Sequence, residues 1–153
     1  LTRSYLVRHG GAGDRRSWKL PDELRPLTER GRRQAEGLVT LLADAQFRRL
    51  VSSPFMRCVQ TLEPLATARG MVVETNPVLA EGAGGHGAIK LLAEEAPVVA
   101  CSHGDVTEEA LDLLASAGVP LTGRDGETPK GATWAFDLHG GEIAAGVLWP
   151  PPA

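Results

Sequence analysis

A chain of 153 residues, 42% hydrophobic and 23% charged, has the length and balance of one soluble domain, spanning residues 1–153, around one core. Its net charge of −3 argues against a nucleic-acid partner, and no apolar run is long enough to cross a membrane as a helix. Cys58 and Cys101 show neither CxxC nor Cys/His ligand spacing, which argues against a zinc site or a disulfide framework. They read as reduced core thiols of a cytoplasmic protein. Charge is nevertheless uneven. Of the 16 lysines and arginines, 12 lie in the first 60 residues, whereas Glu94, Glu95, Asp105, Glu108, Glu109 and Asp112 lie later. A local basic pocket in a mildly acidic protein suits a small anionic ligand.

Tyr5-Leu6-Val7 is an apolar run of β-formers and reads as a buried strand. It delivers Arg8 and His9 into a turn containing Gly10, Gly11 and Gly13, where a ligand can approach the backbone closely. Residues 10–26 read as a polar loop with two prolines. Arg15, Arg16 and Lys19 there have two readings, an anion contact and solvated surface charge, and the sequence does not choose between them. Thr28 is a helix N-cap with Glu29 in the first turn, and Ala35, Leu38, Val39, Leu42 and Ala45 form the buried stripe. Arg30, Arg32, Arg33 and Glu36 form the wet face.

Phe47 to Ser52 is a second strand. Ser53-Pro54 then reads as an N-cap and a first-turn proline, opening a helix from Pro54 to about Ala68. Arg57 falls in its first turns, where free N–H groups and the dipole favour anions. Met71 to Glu74 is a third strand. Glu81 stands at the root of a loop rich in glycine, Gly82 to Gly87, and reads as a proton donor or as a merely exposed carboxylate. His86 in that loop is expected to be exposed. A short helix covers Ile89 to Glu95. Pro97 to Ser102 is an apolar run of the parallel-sheet kind and ends at His103-Gly104-Asp105. Asp105 is expected to cap the next helix, with Glu108 as capping-box partner. Two histidines at matching strand ends suggest one shared site. Thr133 to Leu138 and Glu142 to Trp149 flank His139-Gly140-Gly141, a hairpin signal that makes His139 a turn residue. The tail Pro150-Pro151-Pro152 is expected to be extended and unpaired.

Four segments in this order carry a resemblance: Arg8-His9-Gly10; Ser52 to Thr61, with Arg57; Leu79-Ala80-Glu81-Gly82; and Ser102-His103-Gly104-Asp105. Together they resemble the histidine phosphatase (phosphoglycerate-mutase-like) superfamily. Leu27-Thr28, Gly31 and Gln34-Ala35 are similar to its first-helix pattern. The short chain is similar to the compact bacterial branch, which includes phosphohistidine phosphatases and phosphatase domains attached to Nudix hydrolases.

The resemblance implies a three-layer α/β/α sandwich with a mostly parallel central sheet, a C-terminal hairpin and the phosphate pocket at the strand C-termini. It implies a phosphatase that needs no metal or other cofactor and acts through a phosphohistidine on His9. Arg8, Arg57 and His103 would bind the phosphate, and Glu81 would be the general acid. A cation such as Arg8 beside His9 would keep the ring neutral. The substrate would be a phosphohistidine protein or a small phosphorylated metabolite or nucleotide. The expected partners include no nucleic acid and no membrane, and a monomer is favoured. Gly11-Ala12-Gly13 departs from the more polar residues often found after Arg-His-Gly, and the glycines after Glu81 weaken the case for its acid role. The alternative is a catalytically silent phosphoanion-binding or regulatory module on the same fold.

Overall fold

The computed structural model describes residues 1–152. In chain order its elements are β1 (Thr2–Arg8), α1 (Glu29–Leu41), β2 (Arg49–Ser52), α2 (Met56–Arg69), β3 (Val73–Thr75), α3 (His86–Glu94), β4 (Val98–Ser102), α4 (Gly104–Ser116), β5 (Leu121–Thr122), β6 (Thr133–His139) and β7 (Glu142–Trp149). Two 3-10 turns lie at Asp22–Leu24 and Pro77–Leu79. The seven strands form one sheet in the order β3-β2-β4-β1-β6-β7-β5. β3, β2, β4 and β1 pair in parallel, and only β6 runs against its neighbours. The mostly parallel sheet and the terminal hairpin are therefore as expected.

Alternation along the strands divides the core into two layers. Tyr5, Val7, Leu50, Val99 and Cys101 face α1 and α2, meeting Leu38, Leu42, Leu62 and Leu65. Leu6, Val51, Val98 and Ala100 face α3 and α4, meeting Leu92, Val106 and Leu111. Period-2 side chains buried on both sides require helices on both faces, which is the three-layer sandwich. Cys58 and Cys101 are free thiols inside this core.

Register sets where chemistry can occur. Arg8 pairs with Ser102, and Ser52 pairs with Cys101. Beyond those pairs, the His9 N–H donates to the Ser102 carbonyl at 3.0 Å and the Ser53 N–H to the Cys101 carbonyl at 2.9 Å. The C-terminal ends of β1, β2 and β4 are thus level, so His9, Ser53 and His103 leave the sheet side by side.

Several boundaries differ from expectation, and at Ser53 and Asp105 the reason is a polar group with a tertiary partner. Thr28 caps α1 as expected, accepting from the Gly31 N–H at 3.1 Å. Helix α2 starts at Met56, two residues late, because Ser53 Oγ is engaged by His103 and accepts locally from the Phe55 N–H. Asp105 does not cap α4. Its carboxylate accepts from the Gly82 N–H at 2.7 Å, and Glu108 accepts from the Thr128 N–H at 3.1 Å, so there is no capping box. His103 occupies the cap position with extended backbone. The glycine loop is held against α4: a Cβ on Gly85 would lie 2.4 Å from the Ala110 nitrogen. His86 is exposed, but as the first residue of α3. His139 ends β6 opposite Glu142, and the turn is made by Gly140 and Gly141 at φ 59° and 81°. The proline tail is packed, with Pro152 so close to Gly37 that a Cβ there would lie 2.2 Å from it. Among the described residues no helix is long and apolar enough to cross a membrane.

Candidate active site

The turn after β1 is clamped from three sides. The Gly10 N–H donates to Thr61 Oγ1 at 3.0 Å, and the Gly11 N–H donates to Gln34 Oε1 at 2.8 Å. The Gly11 carbonyl accepts from the Thr28 N–H at 2.9 Å and the Thr28 hydroxyl at 3.1 Å. Gly31 must be glycine for this packing, since a Cβ there would lie 2.0 Å from the Gly11 oxygen. The residues of the first-helix pattern and of the Gln60-Thr61 segment therefore fix the strand end from which Arg8 and His9 project.

His9 is buried, with 6% exposure, and its Nδ1 lies 2.7 Å from the Gly10 carbonyl. A carbonyl only accepts, so Nδ1 carries the proton and the neutral ring keeps its lone pair on Nε2. The pKa of His9 is lowered to about 3. Burial is the largest cause. It is partly opposed by the Gly10 hydrogen bond, and is followed by the electrostatic effects of Arg57, His103 and then Arg8. The sequence anticipated the direction but named the weaker of the two arginines.

This carries a stability consequence. The unfolded chain takes up a proton on His9 near pH ~6.5, while the folded ring does so only near pH 3. Protons therefore favour the unfolded state between those values, and the contribution is fully present above 6.5. Each pH unit lost in that window is expected to cost up to ~1.4 kcal/mol. Denaturant midpoints should fall more steeply from pH 6.5 to 4 for wild type than for His9→Gln. Equal slopes would mean that the ring is not held neutral.

Arg57, the second residue of α2, is not a surface arginine: its exposure is 0%. One terminal nitrogen donates to the Asp22 carbonyl at 2.9 Å. The other reaches the Asp22 carboxylate at 3.0 Å and Glu81 Oε1 at 3.4 Å. Asp22 also pairs with Arg25, 2.9 Å away. Arg8 donates to the Thr128 carbonyl at 2.6 Å and lies against Gly104, where a Cβ would come within 2.8 Å of the guanidinium. Glu81 accepts from Arg15 at 2.8 Å and lies 4.0 Å from His103 Nδ1. The His9 and His103 rings meet edge to face with centroids 5.5 Å apart.

His103 is 1% exposed and its Nε2 lies 2.8 Å from Ser53 Oγ, with Cys58 Sγ at 3.5 Å. Ser53 Oγ already accepts from the Phe55 N–H, so its own proton is available to Nε2. When Ser53 donates there, the His103 proton sits on Nδ1, the side nearer Glu81. Arg8 Nε, Arg57 Nε and His103 Nδ1 are buried donors with no hydrogen-bond partner among the described residues.

All five sequence-predicted site residues thus converge. Arg8, His9 and Glu81 line a cleft of about 630 Å³, with Arg57 and His103 buried behind it. Of the basic loop residues, Arg15 reaches the cleft, whereas Arg16 and Lys19 do not line it. Sequence reasoning missed Asp22, Arg25, Ser53 and Lys130. Ser53 lay inside a recognised segment, but its role required knowing that His103 lands beside it. A lone Asp22 or Lys130 carries no pattern of its own.

Residues 4–95 match the model of the histidine phosphatase superfamily, branch 1. The chain is 35% identical over 155 residues to an 8-oxo-(d)GTP phosphatase of Mycolicibacterium smegmatis (strain ATCC 700084 / mc(2)155), covering 96% of this chain and 48% of that protein. It therefore spans about half the length of this curated relative. A candidate phosphohistidine phosphatase SixA from Agrobacterium tumefaciens is 28% identical with a TM-score of 0.68, over 90% of this chain and 92% of that one. The protein histidine phosphatase SixA complexed with tungstate has a TM-score of 0.73 at 22% identity, over 98% and 96% of the two chains, a likeness of fold. With a family model matched over more than half its length, the chain belongs to the histidine phosphatase superfamily, a family of phosphatases.

Proposed function

We propose that residues 1–153 act as one phosphatase domain that needs no metal and works through a phosphohistidine at His9 Nε2. The observation that carries this reading is a buried, neutral histidine whose Nδ1 proton is tied to Gly10, set among Arg8, Arg57 and His103. Phosphoryl transfer requires a nucleophile in line and fixed positive charge around the transferring oxygens. His9 Nε2 supplies the electron pair. A P–N bond forms as the bond from phosphorus to the leaving group breaks, and the departing pair is protonated by Glu81. Glu81 then takes a proton from water, which attacks phosphorus, and the P–N pair returns to Nε2. Arg8, Arg57 and His103 Nδ1 are the donors for the phosphoryl oxygens, and an anion docked there gives their unpartnered nitrogens acceptors. Docking on Arg57 replaces its long contact to Glu81, and that carboxyl keeps its 2.8 Å contact to Arg15.

The substrate class is a phosphohistidine protein or a small phosphorylated metabolite or nucleotide. The relatives' names support both branches, one a nucleotide phosphatase and one a candidate phosphohistidine phosphatase. The test is phosphate release in EDTA from an aryl phosphate, a nucleoside diphosphate and a phosphohistidine peptide. Release from at least one of them is expected without metal. No release from any would favour the silent phosphoanion-binding module.

Ser53 is a positioning residue in this scheme. Ser53→Ala is expected to lower kcat about tenfold with little change in KM, because the His103 proton is no longer directed to Nδ1. Nitrogen-15 spectra of His103 should show the Nδ1–H tautomer in wild type and a mixture in Ser53→Ala. An unchanged tautomer would remove Ser53 from the mechanism.

A further inference from the structure

We infer that Lys130, with Arg25, forms a second anion subsite beside the reacting phosphate, so that the preferred substrate is a small diphosphate attacked at its terminal phosphorus. The inference rests on the phosphatase reading above and chooses among its substrates.

Placement is the first argument. The Gly131 N–H is shared between the Arg8 and His9 carbonyls, each at 3.0 Å, and Gln34 Nε2 donates to the Lys130 carbonyl at 3.3 Å. Gly131 sits at φ 83°, and a Cβ there would lie 2.9 Å from Gln34 Cδ. The backbone of Lys130 is therefore pinned to the strand end that carries the nucleophile. Its side chain lines the same cleft as His9, Arg8 and Arg25.

Charge is the second argument. Arg15, Arg25 and Arg57 each have a carboxylate partner, whereas Lys130 makes no ion pair among the described residues. Lys130 is exposed, and partial desolvation followed by the charges of Arg8, Arg25, Arg57 and Arg15 lowers its pKa. An ammonium among guanidiniums is stabilised by an anion placed between them. The carboxylates of the facing wall are largely engaged elsewhere: Asp105 with Gly82, Glu108 with Thr128 and Arg124, and Glu81 with Arg15 and Arg57. Asp14 and Glu127 also line the cleft and are exposed; the Asp14 carboxylate accepts from the Arg16 N–H at 3.0 Å and the Ser17 hydroxyl at 3.3 Å, and neither carboxylate pairs with Lys130 among the described residues.

Size is the third argument. Of the groups assigned to the reacting phosphate, Arg8 and His9 line a cleft of about 630 Å³ that also takes in Arg25 and Lys130. That volume is in the range of small-ligand sites, ~300–1,000 Å³.

The experiment compares kcat/KM for a nucleoside diphosphate and for an aryl phosphate in wild type, Lys130→Gln and Lys130→Arg. The ratio, diphosphate over aryl phosphate, is expected to fall about tenfold in Lys130→Gln and to recover in Lys130→Arg. An unchanged ratio in Lys130→Gln would overturn the subsite. If neither substrate is turned over, the phosphatase reading fails first, and calorimetry with pyrophosphate and phosphate still reads the subsite. Pyrophosphate bound no tighter than phosphate by wild type overturns it, and tighter binding lost in Lys130→Gln supports it.

Discussion

Replacing His9 by alanine is expected to reduce phosphate release by ~10⁴-fold or more while the fold is retained. The expected loss is large because, among the described residues lining the cleft, His9 is the one histidine. His103 is the nearest alternative, but its Nε2 is turned to Ser53 and Cys58, and its Nδ1 carries the proton in the arrangement described. The fold should survive because His9 lies beyond the last residue of β1, and the turn is held through the backbone of Gly10 and Gly11 by Thr61, Gln34 and Thr28. Circular dichroism and thermal melting check the second half of the prediction, and steady-state phosphate release checks the first.

Arg57→Ala is expected to lower kcat/KM by about 10²–10³-fold, the loss typical of one preorganised donor to a developing oxyanion. Arg33→Ala should stay near wild type. Arg33 is 63% exposed and meets only the 90% exposed Glu29, so its pair is screened by water. Arg57 differs in every respect. It is wholly buried, it is held by the carbonyl and carboxylate of Asp22, and its guanidinium lies 5.0 Å from the Phe55 ring centre. Removing it also leaves Asp22 with one fewer partner, so some loss of stability accompanies the loss of activity. Arg57→Lys separates the two effects, because it keeps the charge and loses the planar fork. Its kcat/KM should stay well below wild type while its melting temperature recovers. Equal kcat/KM for Arg57→Ala and Arg33→Ala would remove Arg57 from the site.

The strands and helices were legible in the sequence because their apolar periods are clean. The run from Val98 to Ser102 is buried at every position, and Leu38 and Leu42 mark the inner face of α1. The boundaries were less legible for a physical reason. Ser53 and Asp105 have the chemistry of caps, but their oxygens serve His103 and Gly82, far away in sequence. The segment from Gly82 to Gly87 read only as a loop rich in glycine, yet Gly85 is small because α4 passes against it. In the site, Arg8, His9, Arg57, Glu81 and His103 were legible because each sits at the end of a recognisable strand or in a recognised segment. The groups that orient and balance them were not. Asp22 meets Arg57 across 35 positions, and the Thr128 carbonyl meets Arg8 across 120. No local pattern encodes such meetings; the sheet register makes them.

The most direct test of the account is rapid-quench labelling with a substrate carrying ³²P in the transferred phosphate, in EDTA, on wild type and His9→Ala. The account predicts a transient label on wild type that survives alkali and is lost in acid, as a phosphoramidate bond is, maps to His9, and is absent from His9→Ala. Turnover by wild type with no such label, or a label that persists in His9→Ala, would contradict it.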